Sequence, residues 1–313
     1  MKKKILVIGP SSLTGSRFIE LAKDKFEIIE AGSKIGTQRL DLTNPQNVED
    51  VITNFPGKFV VNFAGATLVD EIEKSRPRNP ENEIELNQNL AYQINVLGTR
   101  NLAQSCKKSG KYPIFISTGF VFDGENGPYN EVDPVATSAE QVSWYGWTKV
   151  LAEREVADSG VECAVLRISY PYRSNFDGKA DFARSMLKIY DQFKSGERDS
   201  IYPMFSDQVL TPTFIDDLFP AIELLISENA KGVFHLTSPE VTTPYDFCVE
   251  LLKVVRGLKD PTELIRKGSI VEFQKGHPEI AKRPIRGGEK SNKISKLGFT
   301  PTNWRVGIQR LTD

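Results

Sequence analysis

Tyr145 and Lys149 lie four residues apart in the stretch VSWYGWTKVLAE (residues 142–153), which puts both side chains on one face of a helix. A tyrosine hydroxyl has a reference pKa of about 10 and is a poor acid or base at neutral pH. A nearby lysine ammonium favours the tyrosinate and lowers that pKa, so that the pair can exchange a proton with a reacting oxygen. The spacing alone is a weak signal, because Tyr190 is also followed by Lys194.

Two hydroxyl residues, Ser117 and Thr118, end the apolar run YPIFIST, which is a predicted strand. Reactive groups of parallel sheets collect at the carboxyl edge of the strands. A hydride that leaves NADPH for a carbonyl carbon creates an alkoxide, which needs a proton or a strong hydrogen bond. We therefore predict that Thr118, Tyr145 and Lys149 act on one such oxygen. The second pair, Tyr190 and Lys194, is interpreted as a surface pair at the end of an amphipathic helix.

A glycine-containing turn follows the first predicted strand. The sequence GPSSLTG (residues 9–15) lies between an apolar run and a helix, which is the setting of a dinucleotide-binding turn. Gly9 permits the tight turn, Gly15 lets the helix approach the strand, and the helix N-terminus directs N–H groups at a pyrophosphate. Ser12 replaces the middle glycine, and its hydroxyl could donate to a phosphate. The alternative is a strand–helix turn that binds no ligand.

The second predicted strand indicates which dinucleotide would bind. NAD sites usually carry an acid at the tip of this strand, where it bonds to the ribose hydroxyls. Here Glu30 lies within the strand pattern, and the tip carries Ser33 and Lys34, which suit a 2′-phosphate. NADP(H) is therefore favoured, and NAD(H) remains possible. Asp41 could accept a hydrogen bond from the adenine amino group, cap a helix, or do both.

The elements that must position these residues alternate apolar strands with amphipathic helices as far as about residue 172. This alternation predicts an α/β protein with a Rossmann-type, doubly wound parallel sheet and a smaller C-terminal substrate lobe. We assign residues 1–172 and about 212–240 to an NADP-binding domain, and about 173–211 and 241–313 to the substrate-binding lobe. One long helix is predicted over residues 85–110, after a polar, mobile loop at 74–83.

Composition excludes several classes of function. The chain has 313 residues, 39% hydrophobic and 26% charged, with a formal net charge of -1, so no basic field would attract nucleic acid or an anionic membrane. No apolar run approaches the roughly 20 residues of a membrane span. The three cysteines are far apart and odd in number, which fits reduced thiols and no metal site. We expect a cytoplasmic enzyme with a small-molecule substrate.

Taken together, the motifs resemble the extended short-chain dehydrogenase/reductase family, and within it the nucleotide-sugar ketoreductases. The resemblance runs nearly from end to end. It is carried by G-x-x-S-x-x-G, DL (41–42), NFAGA (62–66), INVLGTRNLA (94–103), STGFVFDG (117–124), YGWTK (145–149), LRISYPY (166–172), SDQVLTPTFIDDLFPAI (206–222), FHLTSPEVTTPYDFC (234–248) and RPIRGGEKSNKISKLGF (283–299).

The resemblance implies roles for individual residues. Thr118, Tyr145 and Lys149 would be the catalytic triad, with Lys149 also holding the nicotinamide ribose, and Asn95 would support the active-site helix. The cofactor would be bound by Gly9, Ser11, Ser12, Leu13, Gly15, Ser33, Lys34, Asp41, Leu42, Ala64, Gly65, Ala66, Asn95, Tyr145, Lys149 and Pro171. The substrate would be met at Gly119 and Phe120, and no metal is implied. From the residues themselves, Trp147 could stack on the base or sugar of the substrate or simply pack, and Arg283 could meet its diphosphate or be solvated basic surface.

The expected activity is NADPH-dependent reduction of a nucleotide-linked 4-keto-6-deoxy sugar. Gly119 and Phe120 depart from the reductases, which usually have Asp and Tyr there, so the identity of the sugar stays open. The same pair cannot supply the acid and base of a 4,6-dehydratase. A 4-epimerase of the same family is one alternative, and a non-catalytic NADP-binding regulatory subunit is another. Helices of this sheet type commonly pair into dimers, so a homodimer is one expected assembly. A hydroxysteroid-type reductase would need a broad apolar pocket that the polar C-terminal third does not favour.

Overall fold

The central feature of the computed structural model, which describes residues 2–34, 36–175 and 178–312, is a parallel sheet of seven strands. A pair of short parallel strands lies apart from it. The strands are β1 (Lys3–Ile8), β2 (Phe26–Gly32), β3 (Gln38–Arg39), β4 (Phe59–Asn62), β5 (Tyr112–Thr118), β6 (Ala164–Ile168), β7 (Met204–Phe205), β8 (Gly232–His235) and β9 (Lys267–Gly268).

Helices cover both faces of the sheet and build the C-terminal lobe. They are α1 (Leu13–Ala22), α2 (Pro45–Asn54), α3 (Val69–Lys74), α4 (Glu83–Gln88), α5 (Leu90–Tyr92), α6 (Gly98–Lys108), α7 (Trp144–Ser159), α8 (Phe182–Lys194), α9 (Leu218–Ser227), α10 (Pro244–Arg256), α11 (Ile270–Gly276), α12 (Asn292–Lys296) and α13 (Trp304–Gln309). A π-helical segment, Gln93–Leu97, joins α5 to α6.

The strand order of the large sheet is β3-β2-β1-β4-β5-β6-β8. The strand β1 pairs with β2 on one side and with β4 on the other, so the winding reverses there. A crevice opens at the carboxyl ends of strands where winding reverses, and dinucleotides bind in such crevices. The predicted α/β, doubly wound fold is thereby confirmed, and the turn that begins at Gly9 lies at this crevice.

Alternation along β1 explains how the sheet is buried on both faces. Ile5 and Val7 pack on the face covered by α1 and α9, while Leu6 and Ile8 pack on the face covered by α2 and α6. All four side chains are essentially inaccessible to solvent. Burying each of them stabilises the fold by roughly 1.5–3 kcal/mol. The strand ends are therefore rigid supports for the residues that follow them.

A second core holds the C-terminal lobe together. Tyr172, Phe247 and Trp304 form its aromatic centre, with the Phe247 ring 5.3 Å from Tyr172 and 5.7 Å from Trp304. Tyr190 is buried in the same core, so the interpretation of Tyr190 and Lys194 as a surface pair was wrong for the tyrosine. The segment around Ile294 packs instead against the core of the large sheet. The proposed domain boundaries stay a prediction.

The region before α6 differs from the single long helix expected. It is broken at Asn89, which caps α5, and again at the π-helical segment. The polar segment before it is also held in place at its start, because the Arg76 guanidinium donates to the carbonyl oxygens of Ala139 (3.0 Å) and Val142 (2.8 Å). Within the described ranges, none of the helices is long and apolar enough to cross a membrane.

Candidate active site

The turn after β1 leaves no room for a side chain at either of its two glycines. Gly9 has a positive φ of 79°, and a Cβ atom there would lie 2.6 Å from the backbone nitrogen of Ala64. A Cβ atom on Gly15 would overlap the carbonyl oxygen of Gly9. The helix α1 begins directly above this turn, so its free N–H groups face the crevice. The turn is therefore a cradle of backbone that fits a pyrophosphate.

The Ser12 hydroxyl has a different task from the one expected. It accepts a hydrogen bond from the backbone nitrogen of Gly15 (2.9 Å) and donates to the carbonyl oxygen of Gly9 (2.9 Å). Its oxygen therefore caps α1, while its proton braces the turn and is not directed at a phosphate. A cation that the sequence did not reveal lies beside the turn, since the Lys179 ammonium donates to the carbonyl oxygen of Ser11.

A cavity of about 600 Å³ extends from this turn to the tip of β2. Ser33 and Lys34 line it and are exposed, whereas Glu30 is not among its lining residues. Asp41 lines it too, and its Oδ1 accepts hydrogen bonds from the Thr43 backbone nitrogen (2.9 Å) and hydroxyl (2.7 Å). The cap of α2 is Asn44 rather than Asp41. The side chains at the tip of β2 are a hydroxyl and an ammonium, which fit a 2′-phosphate.

A second cavity, of about 420 Å³, holds the predicted catalytic residues Thr118, Tyr145 and Lys149. It shares six lining residues with the first cavity, so the two form one continuous groove. The shared residues are Ser12, Leu13, Phe63, Ala64, Gly65 and Thr67. Of the other residues predicted to bind the cofactor, Ala66, Asn95 and Pro171 line the catalytic end, and Gly9, Ser11 and Leu42 line the opposite end.

The pKa of Tyr145 is raised in the structure, whereas the sequence predicted that the nearby lysine would lower it. Burial raises the pKa of Tyr145 to about 12, and a hydrogen bond with Thr118 acts in the opposite direction. Lys149 donates to the carbonyl oxygen of Ile116 (2.9 Å). Burial also lowers the pKa of Lys149 to about 8, against the influence of Glu153. In this structure desolvation outweighs the lowering of the tyrosine pKa that was expected from the lysine.

A buried network lies behind Lys149. Glu153 accepts hydrogen bonds from the Ser117 hydroxyl (2.5 Å) and from two nitrogens of Arg167 (2.9 and 2.6 Å). Arg167 in turn lies 3.3 Å from Nε2 of His235, whose pKa is lowered to about 3 by burial. His235 is thus a neutral core residue. The network fixes the helix that carries Tyr145 and Lys149 against β5 and β6.

Asn95 links the groove wall to the catalytic helix. Its Oδ1 accepts from the backbone nitrogen of Ala66 (2.8 Å), and its Nδ2 donates to Ala66 O (3.0 Å) and to the Thr148 hydroxyl (3.0 Å). The Thr148 hydroxyl donates to the carbonyl oxygen of Tyr145 (2.8 Å). Asn95 lies in the π-helical segment, an irregularity that often marks functional positions. It therefore supports the position of α7.

Among the predicted substrate residues, Phe120 and Arg283 line the catalytic end of the groove. Arg283 forms an ion pair with Asp70 across the groove mouth (2.7 Å). Gly119 and Trp147 are buried and are not among the lining residues. The Trp147 ring packs in the core below α7, with the Arg154 guanidinium 5.0 Å from its centroid.

Tyr170 lines the catalytic end and was missed by sequence reasoning. It lies two residues after the end of β6, and its φ of 43° places it in the left-handed region, which is strained for a residue with a side chain. Its hydroxyl accepts from Nε2 of Gln208 (2.9 Å), and its ring lies 5.9 Å from Phe120. The position just before Pro171, at the carboxyl end of a strand, was the available signal.

A doubly wound sheet, a turn with close-packed glycines at its switch point and a Thr–Tyr–Lys set at the same groove define an extended short-chain dehydrogenase/reductase. The sequence pattern of the family described as RmlD substrate binding domain matches residues 3–313. The chain belongs to that family.

Three known proteins illustrate the similarity. The dTDP-4-dehydrorhamnose reductase of Aggregatibacter actinomycetemcomitans is 24% identical, over 98% of this chain and 98% of that protein. The crystal structure of dTDP-4-dehydrorhamnose reductase from Bacillus anthracis str. Ames in complex with NADP superposes with a TM-score of 0.80, at 24% identity over 99% of each chain. Methionine adenosyltransferase 2 subunit beta of Rattus norvegicus is 24% identical, over 98% of this chain and 86% of that protein.

Proposed function

We propose that the protein reduces the keto group of a nucleotide-linked 4-keto-6-deoxy sugar with NADPH, as a dTDP-4-dehydrorhamnose reductase does. The observation that carries this proposal is the groove itself, which joins a pyrophosphate cradle at Gly9 to Thr118, Tyr145 and Lys149. The bound cofactor would supply the hydride. Such a reaction would serve the biosynthesis of deoxysugar-containing polysaccharides.

The chain's own residues have separable tasks in this reaction. Thr118 and Tyr145 would donate hydrogen bonds to the sugar carbonyl oxygen, and the tyrosine proton would pass to that oxygen as negative charge develops. A tyrosine whose pKa is about 12 is protonated at neutral pH, as an acid for this step must be. Lys149 would hold the ribose and stabilise the tyrosinate that remains. The ion pair between Arg283 and Asp70 would open so that Arg283 can meet the diphosphate.

Assays with NADPH and a panel of nucleotide-linked 4-keto-6-deoxy sugars test the proposal. We expect loss of nicotinamide absorbance with at least one sugar and recovery of the corresponding 4-hydroxy sugar. A 4-epimerase would instead interconvert two hydroxy sugars without net consumption of the cofactor. Tight NADPH binding with no turnover of any sugar would favour the regulatory-subunit alternative. One similar protein, methionine adenosyltransferase 2 subunit beta, is named as a subunit of another enzyme.

The choice of NADPH gives a testable prediction at Lys34. Changing Lys34 to Glu places a negative charge at the site proposed for the 2′-phosphate, so we expect NADPH affinity to fall by about 10-fold or more. NADH affinity should change little, because its ribose carries no phosphate. Fluorescence titration of both cofactors would measure this, and Lys188→Glu, at an exposed position of α8, is the control. Equal losses for NADPH and NADH would contradict the assignment.

The cellular compartment of the protein is the next part of the proposal. The described cysteines Cys106, Cys163 and Cys248 are all buried and unpaired, which suits a reducing compartment such as the cytoplasm. Cytoplasmic location and pairing into a homodimer stay predictions.

A further inference from the structure

The space beside Gly119 is filled by a side chain from the far end of the sequence. Gly119 stands between two groove-lining residues, Thr118 and Phe120. A Cβ atom on Gly119 would coincide with Oε1 of Glu289, and it would lie 2.5 Å from Cδ of Glu289 and 2.5 Å from Oγ of Ser169. A carboxyl group is therefore present where a longer side chain at position 119 would place its own polar atoms.

The Glu289 carboxyl is held by two hydroxyl groups. The Ser169 hydroxyl donates to Oε1 (2.6 Å) and the Thr211 hydroxyl donates to Oε2 (2.9 Å), while the Glu289 backbone nitrogen donates to the Thr211 oxygen (2.8 Å). Glu289 is 3% exposed, and burial raises the pKa of its carboxyl. Burying a carboxyl group costs free energy unless its oxygens have hydrogen-bond partners. The two hydroxyls provide these partners, so this arrangement fixes the side chain in one place.

Glu289 ends a segment that also carries Arg283, and residues 283–289 are here called the strap. The strap lies directly on the loop that follows β5. The Arg286 nitrogen donates to the carbonyl oxygen of Gly124 (2.6 Å), and the Gly127 nitrogen donates to the carbonyl oxygen of Arg286 (2.9 Å). A Cβ atom on Gly124 would lie 2.6 Å from Cβ of Pro284. The loop after β5 is rich in glycine because the strap occupies the space of its side chains.

We propose that Glu289 is a positioning residue of the active site, whose carboxyl replaces a side chain at position 119 and holds the strand end that carries Thr118. Through the strap, the same carboxyl keeps Arg283 at the groove mouth. This inference rests on the proposed function, because Thr118 and Arg283 matter only if the groove binds a carbonyl substrate. A displacement of about 1 Å in such a group can lower a rate by about 100-fold.

The test is to move the carboxyl from residue 289 to residue 119. Gly119→Asp alone puts two carboxyl groups in one space, and we expect kcat to fall by at least about 30-fold with NADPH affinity within about twofold of the wild type. Glu289→Ala alone removes the acceptor of the Ser169 and Thr211 hydroxyls and loosens both the strand end and the strap, so kcat should fall and KM for the sugar should rise, each by about 10-fold. Glu289→Gln keeps the shape and should retain at least about a third of kcat.

The double variant Gly119→Asp/Glu289→Ala separates positioning from simple packing. Its aspartate can reach Ser169 and Thr211, so kcat should return to within about fivefold of the wild type. KM should stay high, because the strap has lost its anchor. A double variant no better than Gly119→Asp in kcat, or a fully active Gly119→Asp single variant, would overturn the proposal.

Thermal unfolding of the same four variants keeps this inference distinct from the proposed function. If the wild type reduces no sugar of the panel, the proposed function fails, and the unfolding midpoints then decide the pairing alone. Gly119→Asp should unfold at a lower temperature than the wild type, and adding Glu289→Ala should raise that midpoint again. Midpoint losses that simply add would show that residues 119 and 289 do not share one space, and would overturn the proposal.

Discussion

Tyr145→Phe is expected to lower kcat by at least about 100-fold while the dissociation constant of NADPH stays unchanged. The substitution removes the proton donor at the reacting oxygen and leaves the ring in place. That ring packs edge-on against Phe120, with centroids 5.8 Å apart, so the fold should be retained. Steady-state kinetics with the turned-over sugar, together with fluorescence titration of NADPH, would measure both quantities.

The chain provides a matched control for this experiment. Tyr190→Phe removes the same oxygen from a buried tyrosine that also precedes a lysine by four residues, but it lies in the core of the C-terminal lobe. We expect its kcat to stay within about twofold of the wild type. If Tyr145→Phe kept its turnover, or if both variants lost it equally, Tyr145 would have no special part in the mechanism.

Lys149→Met should also reduce kcat by at least about 100-fold, because the tyrosinate that forms on proton transfer would lose its nearby cation. Unlike the tyrosine variant, this one should also weaken NADPH binding, since Lys149 is assigned to the nicotinamide ribose. Lys194→Met, the exposed lysine of the second pair, is the control and should be active. A Lys149→Met variant with normal kcat would remove the lysine from the proposed mechanism.

The same variant carries a prediction about pH. Burial lowers the pKa of Lys149 from 10.5 to about 8, so between these values the unfolded chain binds a proton that the folded protein does not. The contribution of Lys149 to the free energy of unfolding should therefore rise as pH increases from about 8 to 10.5. It is lost again as pH falls back from 10.5 to about 8. Urea titrations across this range should show a smaller rise for Lys149→Met than for wild type or Lys194→Met.

Local patterns were sufficient to predict the parts of the site that follow single strands. The apolar run before Gly9 and the two hydroxyl residues after YPIFI predicted β1, β5 and the position of Thr118, because parallel strands end at one edge. The spacing of Tyr145 and Lys149 gave their shared face of α7, and both line the groove. These features depend on residues close in sequence, so periodicity and residue type report them.

Features that depend on contacts between distant segments were not predictable in this way. Nothing near Gly119 in the sequence indicates that Glu289 fills its missing side chain, and nothing near Ser11 indicates Lys179. Asp216 accepts a hydrogen bond from Arg17 and Asp217 accepts one from Thr302, contacts that join separate segments of the fold and that no local pattern reports. The raised pKa of Tyr145 likewise follows from burial, which only the packed structure supplies.

In the proposed reaction, hydride passes from NADPH to C4 of a nucleotide-linked sugar in the groove that holds Tyr145. The most direct measurement uses NADPH deuterated at nicotinamide C4, on either face in separate reactions, followed by mass spectrometry and NMR of the sugar product. We predict that one of the two labelled cofactors transfers its deuterium to C4 of the sugar, and that Tyr145→Phe suppresses this transfer. Cofactor oxidation that leaves no deuterium in the sugar, with either label, would contradict the account.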